Sequence, residues 1–204
     1  MTHFRDLELI RYHNGPCDAE QWHCPLLALG WLERGEPFAI GVCQLIFIEK
    51  LVELREQFKL AFPEFSFRGL HECSMCENGG GLNDSHVNLF IPGKEVVYLA
   101  PGRVDHYIQV HEYFPPQEFI EAVLSCPDPR SKRYASALID LNLGKRPPLF
   151  PERWNIIQVG DNDKRMIRYT VDEEMKCREF ARMYSMRSPE QIFEVEKAPD
   201  RFSS

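Results

Sequence analysis

The sequence predicts an α+β fold: a small antiparallel sheet packed with helices, carrying a zinc-knuckle-like Cys-x-x-Cys turn and a helix that completes its site. Three observations lead there. Val87, Leu89 and Ile91 recur with a period of two, Pro92-Gly93-Lys94 turns the chain, and Val96 to Ala100 returns, which is a β-hairpin signal. Several other stretches repeat apolar residues at helical spacing. Cys73 and Cys76 stand 29 residues before His106-x4-His111, a donor set suited to one metal ion.

Taken in order, residues 1 to 43 mix turn formers with aromatics, including Pro16, Pro25 and Pro37 and glycines at 15, 30, 35 and 41. Irregular or extended chain is expected there, with a short strand around Leu26 to Leu32. Trp22, Trp31 and Phe38 read as aromatic staples of the core beneath that segment, with an exposed binding patch as the alternative. From Gln44, the residues Ile48, Leu51, Val52, Arg55 and Phe58 follow helical spacing until Pro63. They predict a helix over 44–62 with Glu49, Lys50, Glu53 and Glu56 facing water. Ser66 to Leu70 is a candidate strand leading into the cysteine pair, and Gly79 to Gly81 a loop.

In the hairpin, polar partners are expected between Val87, Leu89 and Ile91. Pro101 then suits a first helical position, and Val104, Tyr107, Ile108 and His111 line a helix over 102–112. Further helices are expected over 116–125, with Phe119, Ile120, Val123 and Leu124 buried, and over 130–142, with Tyr134, Ala137, Leu138 and Leu141 on one face and Gly144 as cap. Pro147, Pro148 and Pro151 mark a linker, so the division expected is a main domain over 1–144 and a hairpin–helix extension over 145–204. In the extension, Trp154 to Val159 and Met166 to Val171 flank Gly160 to Asp163 as a hairpin. Asp172 to Tyr184 reads as a helix with Met175, Phe180 and Met183 as apolar contacts, and Ser188-Pro189-Glu190-Gln191 as the start of a short final helix.

Composition narrows the function. The 204 residues are 44% hydrophobic, enough for a packed core, and 24 Lys+Arg against 31 Asp+Glu give a net charge of -7. That balance argues against nucleic acid and anionic membranes as partners, since both demand a basic footprint. The longest apolar run, Ala39 to Ile48, is about half the roughly 20 residues of a membrane span and includes Gly41 and Gln44. Met1 to Glu8 lacks the basic and apolar blocks of an export signal, so a cytoplasmic location is expected.

Seven cysteines, at 17, 24, 43, 73, 76, 126 and 177, form an odd set that does not read as a disulfide framework. Five are isolated and read as small core residues. Cys73 and Cys76 can bite a metal with two thiolates, whereas a redox pair would open a helix; here Glu77-Asn78 and three glycines follow. Cys73, Cys76, His106 and His111 together supply the four N/S donors of tetrahedral zinc. One geometric difficulty stands out. Positions five apart on an α-helix differ by about 140° around the axis, so both histidines reach one ion only where the last turn distorts. His71 is the reserve ligand and His86 a weaker one, and reduced cysteines beside hydrogen-bonded buried histidines are the alternative without metal.

Four protein ligands would close the shell, which favours structural zinc over catalysis. A catalytic ion would need a base, for which Glu72, Glu77 and Asp105 stand near in sequence. His-Glu-x-x-His, the deaminase signature, a complete calcium loop, a P-loop and Gly-x-Ser-x-Gly are all absent. Val104-Asp105-His106 after the Cys pair partly matches HNH-type nucleases, without that motif's later residues and with the wrong charge for DNA.

Ordered blocks add to this reading: Gly30-Trp31-Leu32 with Pro37-Phe38 and Gly41; Arg68-Gly69-x-His71-x-Cys73-x-x-Cys76; Ile91-Pro92-Gly93; Val97-Tyr98-x-Ala100-Pro101; and His106-Tyr107-Ile108-x-x-His111-x-Tyr113-x-Pro115-Pro116-x-x-Phe119. Over residues 4 to 126 the chain resembles an uncharacterised bacterial protein family, a domain of unknown function best represented in soil bacteria. The resemblance implies a compact bacterial domain in which the cysteine and histidine blocks recur together, and it implies no activity. Ala39-Ile40 departs from the Pro-Thr pair usual in the family, as does the extension after 145. The function expected is therefore a zinc-stabilised binding or adaptor protein of unknown protein partner. A metal-dependent hydrolase with Asp105 or Glu72 as base is the alternative, and an immunity-type partner of a larger effector a third reading.

Overall fold

The computed structural model describes residues 3–11, 19–62, 73–76, 87–150, 153–160, 164–171 and 174–199. The chain divides into two compact units, Met1–Leu149 and Phe150–Ser204. Both mix helices and small sheets, which makes the protein α+β.

In the first unit, β1 (Leu26–Ala28), β2 (Asn88–Pro92) and β3 (Val97–Pro101) form a sheet in the order β1-β3-β2. β2 and β3 are the expected hairpin, paired antiparallel with Phe90 opposite Leu99. β1 instead runs parallel to β3, with Leu27 beside Tyr98, so the sheet is mixed. A parallel neighbour needs a long crossover, and the connection from β1 to β3 contains the helix α1 (Leu45–Ala61). The polar partners expected within the hairpin do not form an exposed face: Asn88 and the apolar Phe90 are buried along with Leu89 and Ile91. Trp22 stacks on Phe90 at 5.8 Å, and α1, α3 (Gln117–Ser125) and α4 (Lys132–Leu141) pack against β2. A sheet covered in this way needs no polar face.

The buried stripe of α1 is Phe47, Leu51, Leu54, Phe58 and Ala61, rotated from the one expected. Ile48, Val52 and Arg55 sit at its half-buried border, and so does Lys50, expected in water. The ring edges of Phe47 and Phe58 meet Phe119 and Tyr134 at 6.4 and 5.6 Å, which sets the rotation. Tyr134, fully buried, donates its hydroxyl to the Phe90 carbonyl at 2.6 Å and so ties α4 to β2. Ser131 caps α4 by accepting the Tyr134 N–H at 3.1 Å, and Gly144, at φ +76°, returns its N–H to Ile139 O at 2.9 Å. Leu124, expected in the core, is 42% exposed, its place in α3 being taken by Ala122. Trp22 is buried and Trp31 donates its indole N–H to Leu99 O at 2.9 Å, so both are staples of the core.

In the second unit, β4 (Trp154–Val159) lies between β5 (Arg165–Val171) and β6 (Ile192–Lys197), antiparallel to both. The hairpin is as expected; the final element is not. The chain after Ser188 is strand β6, because Phe193 and Val195 alternate with the exposed Ile192, Glu194 and Glu196. Helix α5 (Glu174–Arg187) buries Cys177 and Ala181 against Ile156, with Trp154, Tyr184, Phe193 and Val195 around them. Met175, Phe180 and Met183, expected as its apolar contacts, are 70%, 42% and 45% exposed. Small residues at 177 and 181 let the helix approach the sheet closely, which turns the larger ones outward. Among the described residues, no helix is long and apolar enough to cross a membrane.

Candidate metal centre

The centre joins a turn to a helix. Residues 73–76 form a tight turn, with Cys73 buried and Cys76 half-buried. Arg34 holds that turn from outside: its backbone N–H donates to Ser74 Oγ at 3.0 Å and its guanidinium to Met75 O at 3.1 Å. Opposite stands helix α2 (Val104–His111), which follows β3 directly. Pro101, expected as its first residue, is instead the last residue of β3 and leaves the helix to begin three positions later. Val104, Tyr107 and Ile108 anchor α2 in the core, which turns His106 and His111 towards the turn.

The five-residue interval between the histidines is reconciled by the end of this helix. The Glu112 N–H returns to Tyr107 O, five residues back, and the Tyr113 N–H reaches the same carbonyl at 3.1 Å. A turn closed five residues back holds one residue more than an α turn, so a five-residue interval comes round to the same side. Glu112 then stops the helix in the left-handed region at φ +55°. The two imidazoles meet edge to face at 5.2 Å.

Four candidate ligand atoms, one each from Cys73, Cys76, His106 and His111, lie within 4.8 Å of one another. Cys73 Sγ is 3.3 Å from His111 Nε2, and Cys76 Sγ is 3.3 Å from His111 Nε2 and 3.5 Å from His106 Nε2. In a tetrahedron with zinc–sulfur bonds of ~2.3 Å and zinc–nitrogen bonds of ~2.0 Å, the sulfur–nitrogen edge is about 3.5 Å. The observed edges fit that figure. Hydrogen bonds alone fit less well, because His111 Nε2 faces two sulfurs and can share one proton with only one of them. His71 and His86, the reserve ligands, lie outside the described residues, as do Glu72 and Glu77.

Charge favours the ligand forms of the imidazoles. Burial holds His106 below the ordinary histidine range, helped by Arg103 and by His111, and burial does the same to His111. Both rings are thus kept neutral with a lone pair to give. Burial pushes the Cys76 thiol up, and Cys73 adds to it, so an ion there must displace a proton. Tyr107, missed as a site residue, is fully buried beside the sulfurs with no hydrogen bond to its hydroxyl. Burial and then the Cys73 charge push that hydroxyl up to about 12.

Asp105, considered as a base, has one oxygen committed to Arg55 and the other buried without a hydrogen bond. Its Oδ2 takes a hydrogen bond from Arg55 Nη1 at 2.5 Å, which locks α2 to α1. Cys24, Cys126 and Cys177 are buried single thiols, and burial raises Cys126 to about 12, beyond easy ionisation. Neither Arg34 nor Tyr107 carries a motif; Tyr107 is visible in sequence only as a helix-stripe residue.

Residues 2–124 match the family model of a domain of unknown function, DUF7919. That span takes in all four cluster residues and ends within α3. No curated protein and no solved structure matches the chain.

Proposed function

The chain belongs to the DUF7919 family, and we propose that it is a zinc-stabilised binding or adaptor protein, with Cys73, Cys76, His106 and His111 as the ligands of one ion. The observation that carries this reading is the closure of two sulfurs and two imidazole nitrogens within 4.8 Å, at the end of a helix widened to bring both histidines round. Zinc, when bound, supplies a cross-link between the turn and α2. Cys73 and Cys76 anchor the turn, His106 and His111 anchor the helix, and Arg34 holds the turn's backbone in line with them. Four protein donors leave no position for substrate, and Arg55 occupies one oxygen of Asp105, the described candidate base. Both facts support a structural ion, with function residing in a protein-binding surface.

Metal analysis of freshly purified protein tests the proposal. About one zinc per chain is expected, and Cys73→Ser should lose it. Folded wild-type protein without metal would overturn the reading. Cobalt substitution separates the two uses of an ion: a tetrahedral thiolate spectrum indifferent to added anions supports the closed shell. A spectrum that shifts with anions would instead indicate an open position, which the alternative of a metal-dependent hydrolase requires.

A further inference from the structure

The metal centre is unevenly protected from solvent. Cys73 is 2% exposed, whereas Cys76, three residues on, is half-buried. Among the described cysteines, Cys24, Cys126 and Cys177 are buried as well, and Cys43, partly exposed, has no neighbouring cysteine in sequence. Cys76 is thus where a small solute reaches a sulfur that has a second sulfur beside it. The guanidiniums of Arg103 and Arg34 stand close enough to favour its thiolate against burial. A partly exposed sulfur in cationic surroundings is the environment in which thiolates react.

The turn also presets a bond between the two sulfurs. A four-residue turn keeps the Cα atoms of its ends within about 7 Å, and a disulfide spans about 4.4–6.8 Å between Cα atoms. The Sγ atoms of Cys73 and Cys76 lie within 4.8 Å of each other, so side-chain rotation can close them to a disulfide. Arg34 holds the turn through Ser74 Oγ and Met75 O, and neither bond involves a sulfur, so both survive the closure. The thiolate is the metal ligand, so pairing the sulfurs leaves an ion only the two imidazoles.

We propose, on the basis of the zinc reading above, that the centre is a redox-released clamp: hydrogen peroxide joins Cys73 to Cys76 and frees the ion that ties the turn to α2. Bound to zinc, both sulfurs are thiolates. Cys76 Sγ attacks one peroxide oxygen; the S–O bond forms, the O–O bond breaks, and the departing hydroxide takes a proton to become water. The Cys73 thiolate then attacks the sulfur of the Cys76 sulfenic acid; the S–S bond forms, the S–O bond breaks, and a second hydroxide leaves as water. Each sulfur gives up one electron, the peroxide takes both, and the two protons come from solvent. Cys73 needs no access of its own, because its partner is Cys76. Val104, Tyr107 and Ile108 keep α2 in the core throughout, so oxidation uncouples the turn without dismantling what lies beneath the helix.

The test treats the full chain, carrying about one zinc, with a molar excess of hydrogen peroxide and reads release with a chromogenic chelator. About one zinc should appear in step with the loss of about two thiols, and peptide mapping should find a Cys73–Cys76 disulfide. A dithiol reductant with added zinc should then restore about one zinc per chain. Cys43→Ser, which removes the other partly exposed thiol among the described residues, should release zinc at the wild-type rate. Zinc retained through the treatment overturns the proposal and leaves the metal reading standing. Zinc freed with Cys76 as a sulfinic acid, or with either sulfur paired to a different cysteine, overturns it as well, and so does release abolished by Cys43→Ser. Wild type that folds without zinc overturns both readings together.

Discussion

Each unit is built round a three-stranded sheet, and the two sheets differ in how far their strands are covered. Val97 to Pro101 of β3 is buried at every position, and the residues of its partner β2 are buried from Asn88 to Ile91. In the second unit the edge strand β6 alternates between half-buried and exposed, and on its solvent side Arg165 bridges Glu194 and Glu196 at 2.9 and 3.0 Å. The cores scale accordingly. The first unit seals Phe47, Phe58, Phe62, Phe90, Phe119, Tyr107, Tyr113 and Tyr134 from solvent, whereas the second closes on Ile156, Cys177 and Ala181. A metal cross-link in the first unit would therefore reinforce an existing core. This differs from an isolated zinc finger, where the ion contributes roughly 10–16 kcal/mol and supplies most of the folding energy.

The comparison can be broken most directly at Phe58. Phe58→Ala should cost about 3–5 kcal/mol, followed by the fluorescence of Trp22 and Trp31 during denaturation. A cost under about 1 kcal/mol would mean that the aromatic cluster does not govern that unit. Next comes Cys76→Ser, expected to abolish zinc binding yet leave a cooperative transition lowered by about 2–4 kcal/mol. Outright unfolding would place this centre with the fingers after all, and Cys177→Ser should retain the metal. Zinc uptake by the apo protein at pH 7 should release protons, read by a pH indicator, because the Cys76 thiol, pushed up by burial, must ionise.

Ile156→Ala sharpens the contrast on the other side, at about 2–3 kcal/mol read through Trp154, since partly exposed neighbours can close over the gap. Tyr134→Phe should cost about 0.5–1.5 kcal/mol by removing the bond to Phe90 O. Arg165→Gln comes last, at about 1 kcal/mol or less and shrinking with added salt, because both of its partners are half exposed.

What could be read in advance follows local periodicity. The hairpins at 87–100 and 154–171 and the helices α1 to α5 announce themselves through spacing, because each is specified by residues within a few positions of one another. The parallel pairing of β1 with β3 links residues about 70 positions apart, and no local pattern encodes it. The same holds for the rotation of α1, decided by Phe119 and Tyr134, and for Arg34, whose bonds span 40 and 41 residues. At 188–191 a good capping sequence competed with the alternation of Phe193 and Val195, and pairing with β4 decided for the strand. The four cluster residues were legible because a Cys-x-x-Cys pair and two nearby histidines are scarce. The means of uniting them was not, since it lies in a backbone bond.

That bond gives the centre its own grammar. Because Tyr107 O accepts from both Glu112 and Tyr113, the interval between the histidines and the left-handed residue after the second form one phrase, and neither part is free to change alone. A single-residue deletion between His106 and His111 would restore the four-residue interval of an ordinary helix and at the same time remove the reason for the wide turn. Descendants of this chain that keep the centre should therefore conserve a count rather than a set of intervening side chains.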